Sequence, residues 1–300
     1  MTQLQTVIQW LRSGEFDVFD LAAATAFYEE TWGLSLIARF GDVAYLRGTG
    51  TEHYLVALRE ASTSGLRRAN FGVADRHTLD ALYVVLRGVA VDPPSELREP
   101  GGGYGFAFRD PEGREMRVIA DVAPHERRLE RDDVPIKLSH VVLNSIDVDG
   151  AGAFYQQVGF RLRDRTGQQL FLGCNAEHHC LAFGHSTHSD LNHVAFDLPS
   201  IDALMRGVGR LKRAGLMLEY GVGRHGPGDN VFAYFFDPND IIVEYTTEME
   251  QIDDRHYRVG APEFWDKRVV LDEWGVAGPP SLRLREHLLR LPKNRVEAAT

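Results

Sequence analysis

Three residues in this chain combine metal-binding chemistry with an apolar setting. His140 stands in Leu138-Ser-His-Val-Val-Leu143, His193 in Leu191-Asn-His-Val-Ala-Phe196 and Glu244 in Ile241-Ile-Val-Glu-Tyr245. Each run reads as a strand, so each polar side chain is carried toward a core. A buried imidazole or carboxylate is costly unless it is paired or bound to a metal. One such residue alone is usually a satisfied core group; three at comparable strand positions are read together as a site. Two imidazoles and one carboxylate on one face of a divalent ion leave the other face open, the arrangement of non-heme Fe(II) oxygenases. The same ligands suit Mn(II), and by type alone zinc, which has no redox chemistry.

The elements that must position these residues come from a repeat. Asp17-Val-Phe-Asp-Leu-Ala-Ala-Ala-Thr-Ala-Phe-Tyr28, followed by Gly33, recurs 127 positions later as Asn144-Ser-Ile-Asp-Val-Asp-Gly-Ala-Gly-Ala-Phe-Tyr155, followed by Gly159. Phe106-Ala-Phe-Arg-Asp-Pro111 recurs at the same offset as Ala233-Tyr-Phe-Phe-Asp-Pro238. The first pair reads as a strand and an Asp-led helix, the second as an Asp-Pro turn between two strands. Each half divides again, over about 5–58 and 69–122 and over about 138–184 and 191–246, each unit reading as strand, helix, then strands. The expected fold class is α+β: two similar domains, each of two βαβββ modules forming a curved, partly open mixed barrel. The expected boundaries are an N-terminal domain at 1–123, a charged linker at 124–136, a C-terminal catalytic domain at 137–248 and a tail at 249–300. The tail, with Trp265, Trp274 and a basic amphipathic stretch from Leu282 to Leu291, is read as a helical cover or subunit contact. Aligning the halves puts Ser13 opposite His140, Phe71 opposite His193 and Arg117 opposite Glu244. A guanidinium in place of a carboxylate repels a cation, so one ion per chain is expected, in the second domain.

Composition narrows the class without naming a substrate. The 300 residues are 44% apolar and 25% charged, as in soluble globular proteins. A formal net charge of -10 argues against nucleic acid or an anionic membrane as partner. Cys174 and Cys180 are the only cysteines, too few for a disulfide framework and not a CxxC pair. With no apolar signal core and no long apolar run, a cytoplasmic location and no membrane partner are expected.

The second half resembles the type I extradiol ring-cleaving dioxygenases of the vicinal oxygen chelate superfamily, whose fold is of the glyoxalase/bleomycin-resistance/dioxygenase type. The resemblance spans about residues 5–250. It is sharpest in Gly223-Arg-His-Gly-Pro-Gly-Asp-Asn-Val-Phe-Ala-Tyr-Phe-Phe-Asp-Pro-Asn-Asp-Ile-Ile-Val-Glu-Tyr245, and extends to Glu177-His-His-Cys180. It implies His140, His193 and Glu244 as metal ligands, Fe(II) or Mn(II) as the metal and O2 as co-substrate. It further implies His179 as catalytic acid–base, and His225 and Tyr234 as hydrogen-bond donors near the substrate. The expected partner is a small aromatic vicinal diol, the expected assembly a homo-oligomer. Imidazole titrates near working pH, which suits proton transfer in both directions at His179. His178, His185 and His188 are read as exposed loop residues, and Phe183, Phe196 and Phe232 as core before substrate wall. The turn Asp237-Pro-Asn-Asp240 departs from the family's Asp-Pro-x-Gly; Asn supports a positive φ there. Another superfamily metalloenzyme (an isomerase, lyase or hydroxyphenylpyruvate-type dioxygenase) and a non-catalytic small-ligand-binding protein are the alternatives.

Overall fold

The computed structural model describes residues 7–127, 131–266, 268 and 271–288. The halves repeat one plan. In the first, β1 (Ile8–Val18) leads into α1 (Leu21–Ala26), continued by a π-helical turn over Phe27–Trp32, then β2 (Ser35–Phe40), β3 (Val43–Arg47) and β4 (Val56–Glu60). Its second module is β5 (Gly65–Val73), α2 (Arg76–Leu86), β6 (Ser95–Glu96), β7 (Tyr104–Arg109) and β8 (Glu115–Ala120). In the second half β9 (Lys137–Ser145), α3 (Val148–Gln157), β10 (Arg161–Arg165), β11 (Gln169–Gly173) and β12 (Leu181–His185) precede β13 (Leu191–Asp197), α4 (Ile201–Arg213), β14 (Tyr220–Arg224), β15 (Val231–Phe236) and β16 (Ile242–Thr247). Two short helices follow in the tail, α5 (Pro262–Trp265) and α6 (Leu282–Leu288).

Each module helix begins on a side-chain cap. Asp20 accepts from the Ala23 amide, Asp75 from Thr78, Asp147 from Gly150 and Ser200 from Ala203. Such caps satisfy amides that the helix cannot. The strands form two eight-stranded mixed sheets of matching order, β2-β3-β4-β1-β5-β8-β7-β6 and β10-β11-β12-β9-β13-β16-β15-β14. The two modules of a domain meet along an antiparallel centre, β1 with β5 and β9 with β13, flanked by parallel pairs. The expected α+β modules are therefore present in the expected order, as two unclosed curved sheets.

The motifs that reveal the repeat are also what joins the halves. The Tyr28 hydroxyl donates to Asp237 Oδ2 at 3.3 Å, and its counterpart Tyr155 donates to Asp110 Oδ2 at 3.2 Å. Each helix tyrosine thus reaches the Asp-Pro turn of the other domain. Trp32, fully buried, packs on Tyr245 with ring centroids 4.0 Å apart, and Phe71 meets Phe160 edge-on. In the turn, Asp110 and Asp237 accept backbone amides at 112 and 114 and at 239 and 241. The positive φ falls on Gly113 and on its counterpart Asp240, at 82° and 61°. The sequence reading placed it on Asn239; that residue instead uses its amide oxygen to accept the Phe19 N–H across the domain boundary at 2.8 Å.

Strand register corrects one part of the internal comparison. Ser13 pairs with Asn70 and Asn70 with Arg117, as His140 pairs with Ala195 and Ala195 with Glu244. Glu15 pairs with Arg68 as Val142 pairs with His193. The counterpart of His193 is therefore Arg68, not Phe71; irregular pairing along β5 and β13 hides this from linear spacing. The first domain fills that place with its own cation: Arg117 donates to Glu15 at 2.8 Å and to Glu99 at 2.5 Å, and Arg68 to Glu15 at 2.7 Å. Glu15 and Arg117 are both buried there, each charge compensated by the other.

Candidate metal centre

The three ligand candidates come from three adjacent strands, β9, β13 and β16. Ala195 pairs with both His140 and Glu244, and its small side chain leaves the space between them open. One ligand atom from each of His140, His193 and Glu244 falls within 4.8 Å of the other two. Glu244 Oε2 lies 3.3 Å from His140 Nε2 and 3.1 Å from His193 Nε2. Yet His193 Nε2 and Glu244 Oε2 are buried without a hydrogen-bond partner. Orphaned atoms of this kind are costly, and a divalent cation between them would satisfy both.

The outer nitrogen or oxygen of each candidate ligand is held by a neighbour. His193 Nδ1 donates to Asn192 Oδ1 at 2.8 Å, and His140 Nδ1 meets Ser139 Oγ at 3.1 Å. Asn230 Nδ2 donates to Thr246 Oγ1 at 2.8 Å and approaches Glu244 Oε1 at 3.4 Å. These contacts turn both Nε2 lone pairs inward, as the hydrogen-bond partners of metal-binding imidazoles do. Burial opposes ionisation of Glu244, but the facing His140 and His193 outweigh it and hold the carboxyl well below its usual range. Burial also lowers His193, despite the attraction of Glu244, so its imidazole is uncharged and available as a ligand.

A cavity of about 210 Å³ opens beside these atoms. Its walls include Val142, Phe171, Tyr220, Pro227 and Ile242, with Leu271, Leu284 and Leu288 contributed by the tail. Phe183, Phe196 and Phe232 are fully buried and outside this lining, so they are core; Phe171 and Tyr220 form the aromatic walls. His179, His225 and Tyr234 all line the cavity together with His140 and His193. Burial and the nearby imidazoles, His140 first, hold His179 well below the ordinary histidine value, so it is uncharged at neutral pH. Burial lowers His225 to about 4. Its Nδ1 donates to the Leu271 carbonyl at 3.0 Å, and its Nε2 accepts from the Tyr234 hydroxyl at 3.0 Å. Both nitrogens of His225 are therefore engaged, and its immediate effect is to orient Tyr234. Burial, reinforced by Glu244, raises the Tyr234 phenol well above its usual value and keeps its proton.

Two histidines read as exposed are not. His178 is fully buried against Asp164, and His188 is buried among Asn144, Ser186 and Asp190; His185 alone is exposed. Each buried imidazole found a polar partner that is distant in sequence or folded back on its own loop. Reading also missed Asn192 and Ser139 as holders of the ligands, although each immediately precedes its histidine. The polar cleft between the domains, about 460 Å³, abuts the site at Asn192, Ile242 and Leu288.

Residues 137–245 match the Glyoxalase/Bleomycin resistance protein/Dioxygenase superfamily. The crystal structure of the Mn(II)-bound glyoxalase from Novosphingobium aromaticivorans is 33% identical, with a TM-score of 0.85 over 97% of this chain and 98% of that one. Metapyrocatechase 2 of Cupriavidus necator is 32% identical over 123 residues, 40% of this chain and 38% of that protein's length. Metapyrocatechase of Pseudomonas sp. (strain CF600) is 26% identical over 249 residues, 74% of this chain and 80% of that protein. The chain belongs to the glyoxalase and dioxygenase superfamily of vicinal oxygen chelate proteins. Among the described residues no helix is long and apolar enough to cross a membrane.

Proposed function

We propose that this protein is an extradiol dioxygenase: it holds one Fe(II), with Mn(II) as the alternative ion, on His140, His193 and Glu244 and opens a catechol-type ring beside its vicinal hydroxyls with O2. The observation that carries the reading is the His-His-Glu set, with orphaned inward atoms, beside an apolar cavity that also presents an uncharged histidine and a protonated tyrosine. The metal, when bound, supplies a redox-active Lewis acid with open positions for a diol and dioxygen. His179 accepts a proton from a substrate hydroxyl and later returns it to the opening ring. Tyr234 turns its single O–H away from His225 Nε2 to a substrate oxygen as charge develops there. Val142, Phe171, Tyr220 and Leu284 exclude water and take up the aromatic ring. The similarity to metapyrocatechases supports this assignment.

The test is anaerobic reconstitution with Fe(II), then oxygen uptake and product mass with catechol, 3- and 4-substituted catechols and a biaryl diol. One O2 should disappear per diol, and the product should be heavier by two oxygen atoms. Absence of uptake with every vicinal diol rejects the proposal. The similarity to a Mn(II)-bound glyoxalase favours one second reading, a metal-dependent isomerase; turnover that proceeds equally well under nitrogen would establish it instead.

A further inference from the structure

His179 is backed by a buried polar chain that the ring-cleavage scheme does not use. His179 Nδ1 lies 3.0 Å from His178 Nδ1, and His178 Nε2 lies 2.9 Å from Asp164 Oδ2. All three side chains are buried. Asp164, on β10, also accepts the Tyr257 hydroxyl at 3.2 Å on Oδ2 and the Gly260 amide at 2.6 Å on Oδ1. Three donors converge on one carboxyl, which suits a carboxylate that can only accept. The backbone fixes the middle of the chain, since the His178 amide donates to the Glu250 carbonyl at 2.9 Å. Gly228, at φ +84°, closes over the same ring: a Cβ there would stand 3.0 Å from His179 Cε1 and 3.1 Å from its Nδ1.

With one proton on each imidazole the chain has a single consistent arrangement. The carboxylate accepts, so His178 carries its proton on Nε2. His178 Nδ1 is then an acceptor, so the proton of His179 must lie on Nδ1. Nε2 of His179, which no hydrogen bond occupies among the described residues, is left with a bare lone pair. We propose that Asp164 and His178 are positioning residues that lock His179 in the Nδ1–H tautomer, presenting Nε2 to the cavity as a ready base. A histidine's tautomer is set by the bond its other nitrogen makes, and an aspartate behind a catalytic imidazole acts in this way in serine hydrolases. Here the lock runs through two imidazoles. Because Tyr257 and Gly260 belong to the tail, the lock also requires the tail to be docked.

The tautomer does not depend on turnover, whereas its catalytic value rests on the ring-cleavage reading, so the experiment has two independent arms. In metal-free, ¹⁵N-histidine-labelled protein, ring nitrogen shifts of His179, assigned with His179→Gln, report the tautomer directly. The native chain should show Nδ1–H. His178→Phe and Asp164→Asn should give a mixture or the opposite tautomer, while His178→Gln, whose Oε1 still accepts, should retain Nδ1–H. An Nε2–H tautomer in the native chain, or an unchanged tautomer in His178→Phe, overturns the proposal. In the Fe(II)-loaded enzyme with catechol, His178→Phe should lower kcat about 10- to 100-fold at unchanged metal content and little-changed KM. His178→Gln should recover most of that loss. Unaltered kcat in His178→Phe also overturns it. Should no chain, native included, consume oxygen, the ring-cleavage reading fails and the nitrogen shifts still decide the lock.

Discussion

Glu244 is buried with two imidazoles and no cation of its own, whereas Arg117 at the equivalent strand position is buried among carboxylates. The same sheet position thus demands positive charge in one domain and supplies it in the other. This contrast gives the residue-scale prediction. His140→Ala, His193→Ala and Glu244→Ala should each lose stoichiometric metal, measured by elemental analysis after dialysis. Tyr234→Phe and His179→Ala should keep the metal but lower kcat, Tyr234→Phe by about 100-fold through loss of its O–H donor. Full metal occupancy in all three ligand variants rejects the site. The ligand candidates were legible because a charged residue inside an apolar run announces itself. His178 was not, because its partner Asp164 lies on another strand and nothing local in Glu177-His-His-Cys180 marks one imidazole as buried.

At the scale of elements, the Asp-Pro turns do more than reverse the chain. Burial raises the Asp237 carboxyl to about 6, against the backbone amides of Ile241 and Asn239 and the Tyr28 hydroxyl, which favour its charge. The folded value therefore lies above the unfolded one, near 3.9. The stabilising contribution is complete below the unfolded value and is lost as pH rises through about 6. The loss amounts to roughly 3 kcal/mol at most, at 1.36 kcal/mol per pH unit. Asp237→Asn keeps an oxygen for the two amides and does not ionise. Its Tm relative to the native chain should rise between pH 4.5 and pH 8, measured by thermal denaturation of metal-free protein. A constant difference across that range refutes the assignment. The repeat made these turns visible, since the 127-residue offset placed Asp110 with Asp237 and Tyr28 with Tyr155. It did not show that each tyrosine serves the turn of the opposite domain, because pairing across domains leaves no local pattern. Nor did spacing find Arg68 opposite His193, since an irregularity in pairing shifts register without altering the apolar alternation.

For the molecule as a whole, the tail connects cover to chemistry. Leu284 of α6 is buried in a cluster with Tyr220, Phe232, Tyr234, Phe236 and Ile242. Asp272 organises the preceding turn, Oδ1 accepting the amides of Arg224 and Trp274 and Oδ2 those of Val276 and Ala277. One of these, Arg224, immediately precedes His225 on the β14 side, and His225 itself donates to the tail carbonyl of Leu271. Undocking the tail therefore opens the cavity and frees His225, and with it the orientation of Tyr234. Within 271–288, Leu271, Leu284 and Leu288 line the cavity, while 289–300 lie outside the described residues. Leu284→Ala removes a buried anchor worth about 2–5 kcal/mol, more than a locally stable segment of this size can easily lose. Limited proteolysis should then cut the tail faster than in the native chain. KM for catechol should rise and kcat fall together in Leu284→Ala and in Asp272→Ala, with metal content unchanged, since none of the proposed ligands lies in the tail. Native KM and kcat in both variants would show that the cavity works without its cover and would detach the tail from the active site.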